Sequence, residues 1–583
     1  MTPNGKLDVA ALAEPARVQT VSTTSPRNPL EDLVVAVCRD LLATDRVGAD
    51  DDFFDIGGNS LLATQLAGRL RAVSEVPIDV RDVFENPSVN ELARLLERRA
   101  GAPAPVVVPT ASIPTSTRGP LSPAQRRLWF LQRLDPDSTA MNLAFVMRFD
   151  GALDVTALHG ALHDVVDRHR VLRTVYPGDD PIQVVMDTPE LYPGIVDVPE
   201  GAVDEFVRQL VAVPLRLDSE PPIRTRLYRT STDRHYLALV VHHIAVDEWS
   251  LTPLLRDLVH AYGCRVSAES PELAPPAIEY IDYARWRAET ADGDLRYWVE
   301  ALAGIDEQCT LPHDRPRTSS APGRAATVRL TVGAEQAQAF AETARRHRIT
   351  TFMLVHAALA AVLARHTGRA DIVVGTAVAG RGDPALDATV GMFASTVVLR
   401  THVDPGASVT ELLDDVRRRD VAAFAHADTP FEAIVDEVLP TRDALSHPLF
   451  QVALSMRRPA RTRMEMPGLT VSVSPRPAET VQYDLQLTVT EQAESVEFDF
   501  TYDRDVYEHT TVAEFAQQMV AFLDAVAGQP TGAVGDIDLM TDTERVELVP
   551  AEVPDPFRNP DGTCCRVAPR PTPTVWRSRV RRP

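Results

Sequence analysis

His242, His243 and Asp247 stand within six positions of one another, in the run Val240-Val241-His242-His243-Ile244-Ala245-Val246-Asp247-Glu248-Trp249-Ser250. An imidazole titrates at about pH 6.5 in water, so a well-placed histidine can exchange a proton or hold a polar group near neutrality. The residues before the pair, Tyr236 to Val241, form an uninterrupted apolar run and predict a buried strand. After it, Ser250 predicts a helix cap, because Leu254, Leu255, Leu258, Ala261 and Tyr262 recur at helical spacing. The two rings therefore sit where a buried strand ends, with Asp247 on the turn into a helix. There the core fixes a side chain on one side while a crevice faces it on the other. The plainer alternative is a pair of strand-end rings satisfied by backbone carbonyls.

Ser60 is the second residue whose setting suggests chemistry. It ends the run Asp51-Asp52-Phe53-Phe54-Asp55-Ile56-Gly57-Gly58-Asn59-Ser60, and Leu62, Leu66, Leu70 and Val73 continue as a helical stripe. Its hydroxyl is expected to be exposed at a helix N-terminus, beside backbone N–H groups that favour a phosphate. The plainer alternative is an ordinary N-cap serine.

The pattern HHxxxD resembles the active-site motif of nonribosomal peptide synthetase condensation domains, usually HHxxxDG. The resemblance implies that His243 is the catalytic histidine, with His242 beside it in the site and Asp247 as a structural charge partner. Glu248 stands where the family usually has glycine. The run from Asp51 to Leu66 resembles a peptidyl carrier domain. That likeness implies 4'-phosphopantetheine on Ser60, with Phe53, Phe54, Val83 and Phe84 packing a small helical bundle.

Composition sets the class. The chain has 583 residues, 44% hydrophobic and 24% charged, which suits a multi-domain globular protein. A net charge of -23 argues against a nucleic-acid partner, whose footprint is basic. Cys38, Cys264, Cys309, Cys564 and Cys565 show neither a disulfide framework nor zinc-like spacing, so no metal is expected and a reducing cytoplasm is. No apolar leader is visible, and Thr351–Ala364 reads as a buried core helix too short to span a bilayer. No membrane partner is expected.

Taken in order, residues 1-12 (MTPNGKLDVAAL) resemble the end of an adenylation domain, with Lys6 matching that family's motif lysine. Residues 13-27 read as a linker, 28-100 as the carrier domain, and 101-120 as a Pro- and Ala-rich tether. Residues 121-545 resemble a condensation domain throughout. Ser122–Trp129 matches its first motif, and Arg168–Thr174 matches another with Arg170 in place of Glu. Tyr280–Trp286 and Leu311–Pro316 match the crossover between halves. Val390–Arg400 matches with Ser395 replacing Asn, as do His426–Glu432 and Arg442-Asp443 with Ser446–Gln451. Asp371–Arg381 predicts a buried strand and turn whose glycines make no phosphate loop. Asp484–Glu491 is expected to be the strand that bridges the halves. Residues 546-583, Pro- and Arg-rich without periodicity, are expected to be disordered.

The implied fold is multi-domain: a small all-α four-helix carrier bundle, then a two-lobed α/β domain resembling chloramphenicol acetyltransferase. The N-lobe is expected over 121-295 and the C-lobe over 296-545, with His243 near the middle of a channel between them. The implied reaction is amide formation between a donor carried on Ser60 and an acceptor aminoacyl group, joining L-donor to L-acceptor. Its partners are a phosphopantetheinyl transferase, an acceptor carrier domain in trans, and an upstream adenylation domain or module. Two alternatives stay open: a carrier fused to a catalytically inactive binding scaffold, and an epimerisation domain. Amino-acid identity is not legible.

Overall fold

A computed structural model describes residues 24–101, 116–189, 191, 194–290, 294–305, 310–318, 323–439, 447–457, 463–466, 468–475, 480–492, 494–528, 532–540 and 545. Lys6 and the adenylation-like start, most of the first linker, Arg442, Asp443, Ser446, Cys309, Cys564, Cys565 and the tail lie outside these residues. The chain divides into two units after Ile537, and the second is described only over 538–540 and at Arg545, which pairs with Asp538 at 2.5 Å.

Four helices build the first domain: α1 (Pro29–Leu42), α2 (Ser60–Ser74), α3 (Val80–Glu85) and α4 (Val89–Arg99). Each start has a local cause. The Asn28 side chain accepts from the N–H groups of Leu30 and Glu31, Asn59 accepts from Leu62, and Asp79 and Ser88 form capping boxes. Val34, Cys38, Leu62, Leu66, Leu70, Phe53 and Val83 form the apolar centre, and Phe54 stacks on Phe84 at 4.8 Å. Burial pushes the Cys38 thiol up to about 12. Val73, expected on the buried stripe, is exposed, because α2 ends one residue later at Ser74.

Two sheets follow. The first has six strands in the order Arg463–Met466, Leu469–Pro475, Asn142–Gly151, Arg234–His242, Ile223–Ser231 and Ile195–Asp197. Neighbours are antiparallel except the last pair. Strand Arg234–His242 is buried on both faces. Leu237, Leu239 and Val241 join the core beneath helix Val155–Arg168, while Ala238 and Val240 pack on Val203, Val207 and Leu210 of helix Val203–Val211. Double burial is why its sequence reads as a continuous apolar run rather than an alternation.

The second sheet is mixed. Val452–Arg457 runs parallel to both Asp371–Val378 and Leu485–Glu491, and the remaining pairings are antiparallel. Helix Thr351–Thr367 packs beside it with an almost wholly buried surface, capped by Thr350. His356 in this helix meets Asp420 at 3.0 Å.

Asp484–Glu491 does not bridge the halves. Leu485–Glu491 lies inside the second sheet, with Leu485, Leu487 and Val489 fully buried. The crossing element is the hairpin Arg463–Met466/Leu469–Pro475, which adds to Asn142–Gly151 of the first sheet and buries Leu469, Val471 and Val473 there. Both segments alternate apolar and polar residues, so pattern alone could not assign them to a sheet. The last residues of the expected tether, Arg118–Pro120, pair with Ile182–Val184. Among the described residues, no single helix is long and apolar enough to cross a membrane.

Candidate active site

Strand Arg234–His242 ends at the histidine pair, and the two rings have opposite surroundings. His242 is buried: its Nδ1 accepts from the N–H of Ile244 at 3.0 Å, so its Nε2–H donates to Gln132 Oε1 at 3.2 Å. Burial, with His243 adjacent, holds His242 down at about 3, so the ring is neutral at any physiological pH. His243 is half-buried, and its backbone N–H donates to Met141 at 2.8 Å. Its Nδ1–H donates to the carbonyl of Val246 at 2.7 Å, which makes Nε2 the basic nitrogen. His243 also lines a cavity of about 260 Å³.

Asp247 is fully buried, and its carboxylate is engaged by Ser250, Arg381 and Phe393. Its Oδ1 accepts from the Ser250 N–H at 2.8 Å and from Arg381 Nη2 at 3.1 Å, and its Oδ2 accepts from the Phe393 N–H at 3.0 Å. Asp247, not Ser250, is therefore the cap of the turn Glu248–Ser250 that leads into helix Leu251–Val266. Arg381 directs its other nitrogen to the carbonyls of Leu386 (2.7 Å) and Thr389 (2.6 Å), and its guanidinium lies 4.1 Å over the Phe393 ring. With the Ser250 hydroxyl 3.0 Å from Nη2, this buried cation has four oxygen partners and an aromatic face, and is held rigidly.

Gly391 shows why the second half must approach so closely. A β-carbon there would enter the ring of Tyr280, whose hydroxyl donates to Met392 O at 2.6 Å. The Ser250 hydroxyl bridges the same strip, 2.9 Å from the Gly391 carbonyl. The turn that carries His243 is thus fastened through Asp247 and Ser250 to Arg381, Gly391 and Phe393.

The cavity wall opposite includes Arg127, Phe431, Glu432 and Tyr483. Arg127 Nη2 donates to His447 Nε2 at 3.3 Å, and the His447 Nδ1–H donates to Phe450 O at 3.1 Å. Burial, then the Arg127 charge, holds His447 down at about 3. A neutral ring accepting from an arginine aims that guanidinium without neutralising it. Ser395 also lines the cavity. Glu248, beside Asp247, reaches Arg457 at the end of strand Val452–Arg457, 2.9 Å away.

The expected residues thus fall into two groups. His242, His243 and Asp247 share one turn, and only His243 faces the cavity. Ser60 lies on the carrier, but Gly68 and Arg71 of its helix α2 line that same cavity. Ser60 is not the exposed hydroxyl expected from sequence: it is 2% exposed, and its Oγ lies 2.8 Å from Thr350 Oγ1. Arg381, Gln132 and the Arg127–His447 pair were not legible as site residues. For Arg381 a signal existed, since a cation following a buried strand requires a buried partner.

Residues 31–96 match the phosphopantetheine attachment site family, and residues 116–549 match the condensation domain family. A probable non-canonical nonribosomal peptide synthetase of Salinispora arenicola is 38% identical over 92% of this chain and 7% of its own length. A dimodular nonribosomal peptide synthase of Bacillus subtilis is 34% identical over 94% of this chain and 24% of its own length. The chain therefore spans at most a quarter of these curated relatives. Among solved structures, the X-domain in complex with OxyB from teicoplanin biosynthesis is 32% identical, with a TM-score of 0.70 over 75% of this chain and 99% of that one. A four-domain nonribosomal peptide synthetase bound to AMP and glycine shares the fold, at 22% identity and a TM-score of 0.65 over 73% of this chain and 34% of that one. With most of its length matched by one family and its first helices by the other, the chain belongs to the condensation domain family of nonribosomal peptide synthetases, and carries a phosphopantetheine attachment domain ahead of it.

Proposed function

We propose that this chain forms an amide bond between an acyl group borne on its own carrier and the amine of an aminoacyl group on a second carrier. The observation behind the proposal is His243, which lines the cavity with its Nδ1–H held by the Val246 carbonyl and its Nε2 left as the basic nitrogen. Ser60 is the proposed attachment residue. When attached, 4'-phosphopantetheine supplies a thiol that holds the acyl group as a thioester. The residues present suit it: Ser60 opens a helix of 15 residues with no acidic residue in its first turn, so the positive end of the helix favours a phosphodiester.

An α-amine with a pKa of about 8 is partly neutral at physiological pH, and a thioester is already activated, so orientation is the main requirement. His243 Nε2 accepts a hydrogen bond from the attacking amine and takes its proton as the C–N bond forms and the C–S bond breaks. Val246 holds the ring in the tautomer this needs. Asp247 and Arg381 act through position, because neither borders the cavity chemistry and both are engaged by buried partners. The fused carrier is the donor, the acceptor carrier comes in trans, and the preferred pairing is L-donor with L-acceptor. A phosphopantetheinyl transferase and an upstream adenylation domain or module supply the loaded carrier. The work is done in the cytoplasm, away from membrane and nucleic acid.

A second reading has its own support. Glu248 stands where the sequence motif usually has glycine, and the X-domain that this chain resembles is a protein solved in complex with OxyB. In that reading the two-lobed body recruits a partner enzyme to the loaded carrier and performs no transfer.

One assay separates them. The chain is loaded with an aminoacyl-phosphopantetheine, mixed with a separately loaded acceptor carrier, and followed by intact-protein mass spectrometry beside His243→Ala. Transfer onto the acceptor that is lost in the variant supports condensation. Loading without transfer across several substrate pairs favours the scaffold.

A further inference from the structure

Helix α2 meets the second lobe backbone to backbone. A β-carbon on Gly68 would overlap the carbonyl oxygen of Gly382, and the nearest atoms it would meet all belong to Gly382. Three polar contacts flank this point. Arg69 pairs with Asp387 at 2.6 Å, Arg417 donates to the carbonyl of Phe84 at 3.1 Å, and Ser60 Oγ lies 2.8 Å from Thr350 Oγ1. These partners come from the segment after strand Asp371–Val378, from helix Val409–Ala425 and from the cap of helix Thr351–Thr367.

We infer that the Gly68–Gly382 contact builds a resting station for the carrier on the second lobe, and that docking there and modification of Ser60 exclude each other. This rests on Ser60 being the attachment serine. At 2% exposure its hydroxyl cannot be reached by a second enzyme. Modification requires Ser60 Oγ to attack the phosphorus of coenzyme A nearest the pantetheine. The pyrophosphate P–O bond then breaks, adenosine bisphosphate leaves, and the hydroxyl proton passes to the transferase. None of this fits between Ser60 and Thr350, so the unmodified carrier must first leave.

The station is also selective in the other direction. Once Ser60 Oγ is esterified, the phosphodiester cannot be fitted into the 2.8 Å contact with Thr350 Oγ1. The modified carrier therefore cannot reseat in the same way. Ser60 is at one end of α2, while Gly68 and Arg71 toward the other end border the cavity. Eight residues of helix separate Ser60 from Gly68, about 12 Å. Priming thus converts a parked carrier into a mobile one, and a tethered partner needs only weak contacts to park, because its effective concentration is high.

The test measures the initial rate of Ser60 modification in the full-length unmodified chain, by intact mass, with a phosphopantetheinyl transferase and coenzyme A. Gly68→Ala removes the close approach from the carrier side, and alanine is the better helix former. Asp387→Arg repels Arg69 from the lobe side and leaves the carrier's own surface unchanged. A carrier parked about four-fifths of the time is free for the remaining fifth, so both variants should be modified faster than wild type, by up to about fivefold where release is complete. Small-angle scattering should show a larger radius of gyration for both variants, and for the modified wild type, than for the unmodified wild type. Equal rates and equal radii would overturn the station while leaving Ser60 as the attachment residue. Absence of any mass gain, wild type included, would remove the Ser60 reading and the inference with it.

Discussion

Arg381 Nη2 lies 3.1 Å from Asp247 Oδ1, and both side chains are closed off from solvent. Asp247 sits on the turn that presents His243, and Arg381 follows a strand of the second sheet, so the pair fixes one lobe's histidine against the other lobe. A buried ion pair is costly to break from one side, since the remaining charge loses its partner. Arg381→Ala should lower unfolding stability by about 3–5 kcal/mol, read as a shift in urea midpoint. Arg381→Lys should recover only part of this, because one ammonium cannot serve Asp247 together with the Leu386 and Thr389 carbonyls.

His243 and His242 should separate cleanly in mutagenesis. His243→Ala removes one hydrogen bond at a half-buried position, and should leave the thermal midpoint within a few degrees while lowering the transfer rate roughly 10²–10⁴-fold. His242→Ala strands the Gln132 carbonyl oxygen and the Ile244 N–H in a buried site, and should cost about 1–3 kcal/mol. Thermal scans beside transfer assays check both. Equal destabilisation by the two changes would deny His243 its distinct role.

Much of this was legible in the sequence because local pattern and function coincide. The apolar run Tyr236–Val241 is a strand buried on both faces, and His242 and His243 follow where it ends. What escaped was long-range. Arg381 lies 134 residues from Asp247, and no periodicity couples the two. The hairpin Arg463–Pro475 joins the first sheet across more than three hundred residues, a pairing decided by which edge strand is free, not by its own composition. Ser60 was legible by motif, but its burial was not, since that depends on Thr350 of another domain.

Acid should unfold the two-lobed body through its neutral histidines. His242 and His447 are both held down at about 3 by burial, against about 6.5 in an unfolded chain. Their folded values are depressed, so the unfolded state binds more protons between these limits, and stability falls as pH falls through that window. It is fully present above about pH 6.5, and each ring contributes a slope of up to about 1.4 kcal/mol per pH unit. Burial pushes the Glu279 carboxyl up to about 7, which adds stability as pH falls through the same window, so denaturant titrations at pH 7, 6 and 5 should show a net loss smaller than the two rings' sum. His447→Gln should flatten the slope by one ring's share if its packing beside Phe431, Phe450 and Tyr483 is retained.

Glu248 and Arg457 form an exposed ion pair beside the turn that carries His243. Both side chains are about half exposed, so the ion pair contributes only about 0.2–1 kcal/mol. Its position matters more than its strength. Glu248 is five residues after His243 and next to the anchored Asp247, while Arg457 ends a strand of the opposite sheet, so the pair restrains the lobes beside the histidine. A glycine at 248 would remove that restraint and the side chain together. Glu248→Gly should therefore change stability by less than about 1 kcal/mol yet raise the transfer rate. Raising salt should reproduce part of the gain in wild type, because an exposed pair is screened. Arg457→Ala should behave like Glu248→Gly if the restraint is electrostatic, and should leave the rate unchanged if the Glu248 side chain obstructs by bulk alone. Unaltered transfer in both variants, with no response to salt, would show that the pair is a surface contact without influence on the channel.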